Sequence, residues 1–195
     1  SRAFATSYVY ANLLGHEAGR AIYDGGAMIA AGGKLLAEGR RLFFADVDVT
    51  SAVVDIDHVR SLQARIVSRE VCPEAPPQVT ADFNWRETAP EPTVSLETQP
   101  MAKEVEFARA VSLGLFDYLR KSHSRGFVVS LSGGADSGSI ACLVHLMLKL
   151  AREEMGDKAV KEKLGDWLGR KKDDWMPSML SCVYQATRNS GDVTR

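Results

Sequence analysis

Two serine hydroxyls, paired glycines and one carboxylate fall in a single short run, Ser132-Gly133-Gly134-Ala135-Asp136-Ser137, preceded by Ser130-Leu131. Paired glycines let the backbone approach a ligand closely and adopt positive φ. Ser132 and Ser137 add hydroxyl donors. Such a set suits an anion, provided that the flanking elements aim it. On the N-terminal side, Gly126-Phe127-Val128-Val129 is apolar and β-branched, which predicts a buried strand. On the C-terminal side, the apolar stretch from Ile140 to Leu148 predicts a helix. The first N–H groups of a helix lack intrahelical acceptors, and its dipole favours negative charge at that end. No Lys lies between Lys121 and Lys149, so the run is not a G-x-x-x-x-G-K-[ST] phosphate loop, and a different phosphate geometry is expected. An ordinary glycine turn capped by Asp or Ser fits the same local pattern.

The chain of 195 residues has room for one large domain or two small ones. Hydrophobic residues at 45% and charged residues at 25% are ordinary for a globular protein. A net charge of −1 gives no support for attraction to nucleic acid or to a membrane surface. No apolar run is long enough to span a bilayer, and no signal-peptide pattern opens the chain. The three cysteines, Cys72, Cys142 and Cys182, form no C-x-x-C pair, so neither a zinc site nor a disulfide framework is indicated and a cytoplasmic setting is expected. Cys142 in an apolar helix and Cys182 in an apolar strand are expected to be buried and inert. The start at Ser1 and the end on Thr194-Arg195, just after a loop-like stretch, lead us to expect a piece of a longer polypeptide.

Residues 7–14 are expected to form a strand. Arg20 to Arg40 is expected to form a hairpin turning at Gly32-Gly33, and Leu42 to Val49 alternates as a further strand would. His58 to Arg69 has helical spacing. Six of the seven prolines then fall between Pro73 and Pro100, which predicts an extended connector over residues 70–100. Beyond it, Lys103 to Ser122 predicts an amphipathic helix whose face carries Val105, Ala108, Val111, Leu115, Tyr118 and Leu119, flanked by Phe107 and Phe116. Residues 151–175 are charged and are expected to form a solvated helical excursion. Met179 to Tyr184 predicts a second buried strand. Helix, strand, helix, strand is the opening of a parallel α/β sheet, whose ligands bind at strand C-termini. Arg120, Lys121 and Arg125 form a small basic cluster, either near phosphates or at a solvated helix end. The four histidines are scattered and suggest no site.

The run from Ser132 to Ser137 resembles the SGGxDS loop of the ATP pyrophosphatases, which cleave ATP between its α- and β-phosphates. The resemblance implies that Ser132, Gly133, Gly134 and Ser137, with Ser130 beside them, hold pyrophosphate, and that Asp136 binds Mg²⁺. A carboxylate is apt for that ion, which favours one or two carboxylates together with phosphate oxygens. After the second strand, Tyr184, Thr187, Asn189, Ser190 and Thr194 match the Tyr-x-x-T/S-x-N-S-x-x-x-T pattern of the NAD synthetase family. Read without the resemblance, Asn189, Ser190 and Thr194 fit nucleotide contacts or a helix cap equally well. Gly114 to Ser122 is also similar to these enzymes. At the other end, Tyr8 to Gly15, Glu17 to Arg20 and Ile22 to Gly26 resemble the last strands of nitrilase-like amidohydrolases.

Both halves together resemble glutamine-dependent NAD synthetases. The resemblance implies an α/β architecture in which the end of a nitrilase-like α-β-β-α sandwich (1–69) passes through the Pro-rich connector (70–100) into the start of a parallel-sheet, adenine-nucleotide α-hydrolase-like domain (101–195). It implies ATP and Mg²⁺ as cofactors, and nicotinic acid adenine dinucleotide and glutamine-derived ammonia as partners. It also implies a homo-oligomer, with no nucleic acid or membrane partner. The Cys, Glu and Lys of the nitrilase-like glutaminase site match no position here, so no catalytic residue for glutamine hydrolysis is expected in this chain. The alternatives are another pyrophosphate-loop amidotransferase, a tRNA-modifying enzyme, or a catalytically silent nucleotide-binding or assembly module.

Overall fold

The computed structural model describes residues 1–17, 19–66, 81–82, 100–168 and 175–186. They divide into two compact units that interleave in sequence. The first gathers Ser1–Ala11, Ala27–Gly39 and Val49–Thr98, and the second Asn12–Gly26, Arg40–Asp48 and Gln99–Arg195. Most of the expected connector lies outside the described residues.

In the first unit, β1 (Ser7–Ala11), β4 (Ala27–Ala31) and β5 (Lys34–Glu38) form an antiparallel sheet in the order β1-β4-β5. The β4–β5 hairpin turns at Gly32-Gly33, as expected, with a register shift between Ile29 and Ala30, but residues 21–24, expected to lead into it, pair with residues 14–17 instead. The strand expected over 7–14 stops at Ala11, and the chain resumes pairing in the other unit. Helix α1 (Ile56–Ala64) begins earlier than its apolar spacing suggested. The Asp55 side chain caps it by accepting from the His58 N–H at 2.8 Å.

In the second unit, β2 (Leu14–Glu17) pairs antiparallel with β3 (Ala21–Asp24), and β6 (Phe127–Ser130) pairs parallel with β7 (Leu180–Val183). Helix α2 (Lys103–Ser122) has the expected bounds, with His123 in the left-handed region at its C-terminus. Helix α3 (Ala135–Leu164) breaks at Gly156, whose φ is 77° and ψ 161°. The short α4 (Met176–Met179) leads into β7.

The buried face of α2 is rotated from the expected one. Ser112, Leu113, Phe116 and Leu119 are buried, whereas Val105, Phe107 and Tyr118 are exposed. Two neighbours decide this. Helix α3 covers one side, and β3 approaches so closely that a Cβ on Gly114 would lie 2.6 Å from Ile22 Cδ1. The stretch 151–175 is also corrected. Ala151, Val160, Leu168 and Trp175 are buried members of the main core, the first two on α3, which continues past Lys149, and the last two beyond its end. Arg152 then stacks 4.5 Å from the Trp175 ring centroid.

Leu42 to Val49 forms no strand. Leu42, Phe43 and Phe44 are instead consecutive buried residues in irregular backbone. A strand would send alternate side chains to opposite faces. This segment lies against α2 and α3 and draws its hydrogen bonds from other elements. The Leu42 N–H donates to Asp24 O at 2.7 Å, and Leu42 O accepts from Arg109 at 3.0 Å. The Phe44 N–H donates to Glu154 Oε2 at 2.9 Å. Arg109 and Glu154 also pair with each other. Buried backbone is tolerated off the ladder when every polar group finds such a partner.

Candidate functional site

The candidate anion loop lies between β6 and α3. The parallel ladder runs Phe127↔Leu180 to Ser130↔Val183 and extends one step further, with the Leu131 N–H donating to Val183 O at 2.9 Å. Both strands therefore end on the same side, and residues 131–134 leave the sheet beside residues 184–186. Gly133 has φ 78°, a conformation that side chains other than glycine rarely adopt. Gly134 sits at the N-cap position of α3 with no side-chain cap.

Ser132 and Ser137 meet across the loop, with their hydroxyl oxygens 3.5 Å apart. The Ser132 and Gly134 N–H groups each donate at 3.4 Å, to Ser137 Oγ and Ser132 Oγ respectively. The Ser137 hydroxyl donates to Gly134 O at 3.2 Å. These bonds are longer than ordinary ones, so the hydroxyls are held loosely and can turn to a better acceptor. Ser130, Ser132, Gly133, Gly134 and Asp136 are exposed, and Ser137 is buried. The loop thus stands exposed at the N-terminus of a long helix, whose first N–H groups lack intrahelical acceptors, an arrangement suited to phosphate oxygens. Asp136 lies in the first turn of α3. Asn189, Ser190 and Thr194 lie outside the described residues, as does Thr187.

The flanking strands are less buried than expected. Val129 is buried, but Val128 is 76% and Val183 50% exposed. Alternate side chains of a strand face opposite ways, and among the described residues only one face of this sheet is covered. Cys142 and Cys182 are both exposed, which corrects the expectation of buried thiols. A hollow of about 410 Å³ runs along the middle of α3, lined by His145, Lys149, Arg152 and Trp175 among others, and includes none of the loop residues.

Of the basic cluster, Arg120 and Lys121 lie in the last turn of α2, at the helix end expected, where they also hold a buried carboxylate. Arg120 and Lys121 pair with Asp117 at 2.5 and 2.7 Å, and the His16 N–H donates to the same carboxylate at 2.8 Å. Asp117 is buried. Burial alone would raise its pKa, but the bonds from Lys121, Arg120 and the His16 N–H outweigh that and hold it below the ordinary value. The signal was present in the sequence, since Asp117 stands three and four residues before these cations, a spacing that places them on one helix face.

No protein-family model matches the chain. Its sequence is similar to proteins named glutamine-dependent NAD(+) synthetase. It is 35% identical to the one from Oryza sativa subsp. indica and 38% to that of Mus musculus, in each case over 96% of this chain and 28% of the relative. It is 30% identical to that of Saccharomyces cerevisiae, over 96% of this chain and 29% of the relative. A crystal structure of a glutamine-dependent NAD(+) synthetase from Cytophaga hutchinsonii superposes with a TM-score of 0.63 at 35% identity, covering 96% of this chain and 27% of that one. The chain spans little more than a quarter of the length of these relatives. Its mixed α/β fold and nearly all of its sequence are thus similar to one portion of the glutamine-dependent NAD(+) synthetases.

Proposed function

We propose that this chain supplies the pyrophosphate-binding part of a glutamine-dependent NAD synthetase. The observation that carries the reading is the Ser132–Ser137 turn. It joins a parallel strand to a helix N-terminus and, Ser137 apart, is exposed from Ser132 to Asp136. Its place in a chain similar to those enzymes supplies the substrate class. Antiparallel β1 to β5 are read as the end of a nitrilase-like sandwich, with residues 1–69 as that domain and 70–100 as its connector. The parallel β6–β7 pair is read as the start of an adenine-nucleotide α-hydrolase-like domain over 101–195.

The reaction assigned to the whole protein has two steps. A carboxylate oxygen of nicotinic acid adenine dinucleotide attacks the α-phosphorus of ATP, and the bond to the bridging oxygen breaks to release pyrophosphate. Ammonia derived from glutamine then attacks the activated acyl carbon, giving NAD and AMP. Ser132, Gly133, Gly134 and Ser137, with Ser130 at the strand end, would hold the departing pyrophosphate, their N–H and hydroxyl donors stabilising the charge that grows on it. The loop fits a phosphate group, since no atom lies within 4 Å of a Cβ placed on Gly133, which leaves that side open. Asp136 would hold Mg²⁺, which when bound neutralises phosphate charge. Asn189, Ser190 and Thr194 would complete the nucleotide contacts. The glutaminase nucleophile would lie outside this stretch. We assign a cytoplasmic homo-oligomer. Among the described residues no helix is long and apolar enough to cross a membrane.

Asp136→Ala in the full-length protein tests the reading. Pyrophosphate release from ATP, dependent on nicotinic acid adenine dinucleotide, should fall at least about 100-fold, in line with the loss of one transition-state electrostatic contact. Near-normal release would reject the assignment. ATP binding without any turnover in the unaltered protein would favour the silent nucleotide-binding module instead.

A further inference from the structure

The second unit is assembled from segments on both sides of the connector. Its helices α2 and α3 are bound by residues 12–26 and 40–48, which precede the connector in sequence. Leu42 and Phe44 belong to the same buried cluster as Leu113, Phe116 and Met147. The Phe44 and Phe116 rings meet edge to face, 5.4 Å between centroids. Around this apolar contact, several polar groups of the earlier segments are matched by groups from the later segment. Arg41 pairs with Glu106, and Asp46 with Lys163. Arg109 donates to Leu42 O, the Phe44 N–H donates to Glu154, and the His16 N–H donates to Asp117. Leu42 holds φ 55°, a strained value for a side-chain-bearing residue, and such strain persists only where surrounding contacts over-determine the backbone.

We infer that residues 12–26 and 40–46 act as a built-in partner for the α2–α3 face, bound by their own contacts rather than by the covalent connector. The inference is independent of the chemistry assigned to the loop. Its consequence is that the loop-bearing folding unit is not the stretch after the connector alone. Both sides of the contact bury apolar residues, and side chains of the later segment satisfy backbone groups of the earlier ones, so the association should survive a cut in the chain.

The test begins with the full chain carrying a protease site inserted after Pro92, cut to completion in the native state. The two fragments should elute together in size-exclusion chromatography at 0.5 M salt, where exposed ion pairs are screened. Separate elution would overturn the inference. With Phe44→Asp, the cut chain should separate; continued co-elution would show that this contact is not what joins the fragments. Should that variant fail to fold, hydrogen exchange on the uncut, unaltered chain decides. The Phe44 and His16 amides should be protected to the same level as the core amides of α2. Exchange of those two at rates at least about 100-fold faster than the α2 core would overturn the inference equally.

Discussion

Two irregular stretches of backbone in this molecule have opposite fates. The loop 131–134 leaves its strand, and its groups make long bonds of 3.2 to 3.5 Å among themselves and with Ser137. The segment 41–46 leaves its strand-like pattern too, but Leu42, Phe43 and Phe44 are buried and its backbone groups are bonded by Arg109, Glu154 and Asp24. Irregular backbone that is fully satisfied and buried contributes cohesion. Irregular backbone with loosely held donors at a helix N-terminus is free to serve a ligand. The first arrangement resists change and the second invites it.

The largest effect should come from the buried side of the comparison. Phe44→Ala removes a ring that packs on Phe116 and should cost about 3–5 kcal/mol, read from chemical denaturation. A loss below about 1 kcal/mol would mean that the segment is dispensable and that the contrast fails.

A smaller effect is expected at the polar anchor. Asp117→Asn keeps the shape but removes the charge that Arg120 and Lys121 face, and should cost about 1–3 kcal/mol near neutral pH. The folded-state pKa of Asp117 lies below its ordinary 3.8. Its stabilisation is therefore complete above that value and is lost as pH falls through the lowered one. Stability curves of the two proteins should converge at the acid end and separate by pH 5. Asp24 is lowered as well, burial being outweighed by the Gly26 N–H, Arg41 and Asn12, so the unaltered protein should lose further stability in the same acid range. Parallel curves down to pH 2 would show that Asp117 does not contribute through its charge.

The smallest stability effect belongs to the open side. Gly133→Ala meets no atom within 4 Å and is opposed only by its φ of 78°, so it should cost about 1–2 kcal/mol. Binding of ATP by the full-length protein should weaken more than that cost suggests, since the loop must reshape. A stability loss of about 4 kcal/mol or more would mean that the loop is packed rather than open.

The site was the more legible of the two stretches. Its serines and glycines are neighbours in sequence, and a strand before and a helix after are signalled by local composition. The parallel pairing of β6 with β7 followed from the same order of elements. The buried segment was misread as a strand because its partners are remote. Phe44 reaches Glu154 across 110 positions and Leu42 reaches Arg109 across 67. The alternation in Leu42 to Val49 was real, but among the described residues no strand pairs with it. The burial of Ala151, Val160 and Leu168 was hidden for a related reason, since a charged composition conceals the apolar positions within it.

By itself, then, the sequence determined what local chemistry determines. Glycines set the turn, local composition set the strand before it and the helix after it, and periodicity set α2 to within a residue. Tertiary structure alone decided which faces were buried and which segments joined the loop-bearing unit. Burial is the sum of contacts with distant partners, and a free energy shared among Phe44, Phe116, Arg109 and Glu154 is written at no single position of the chain.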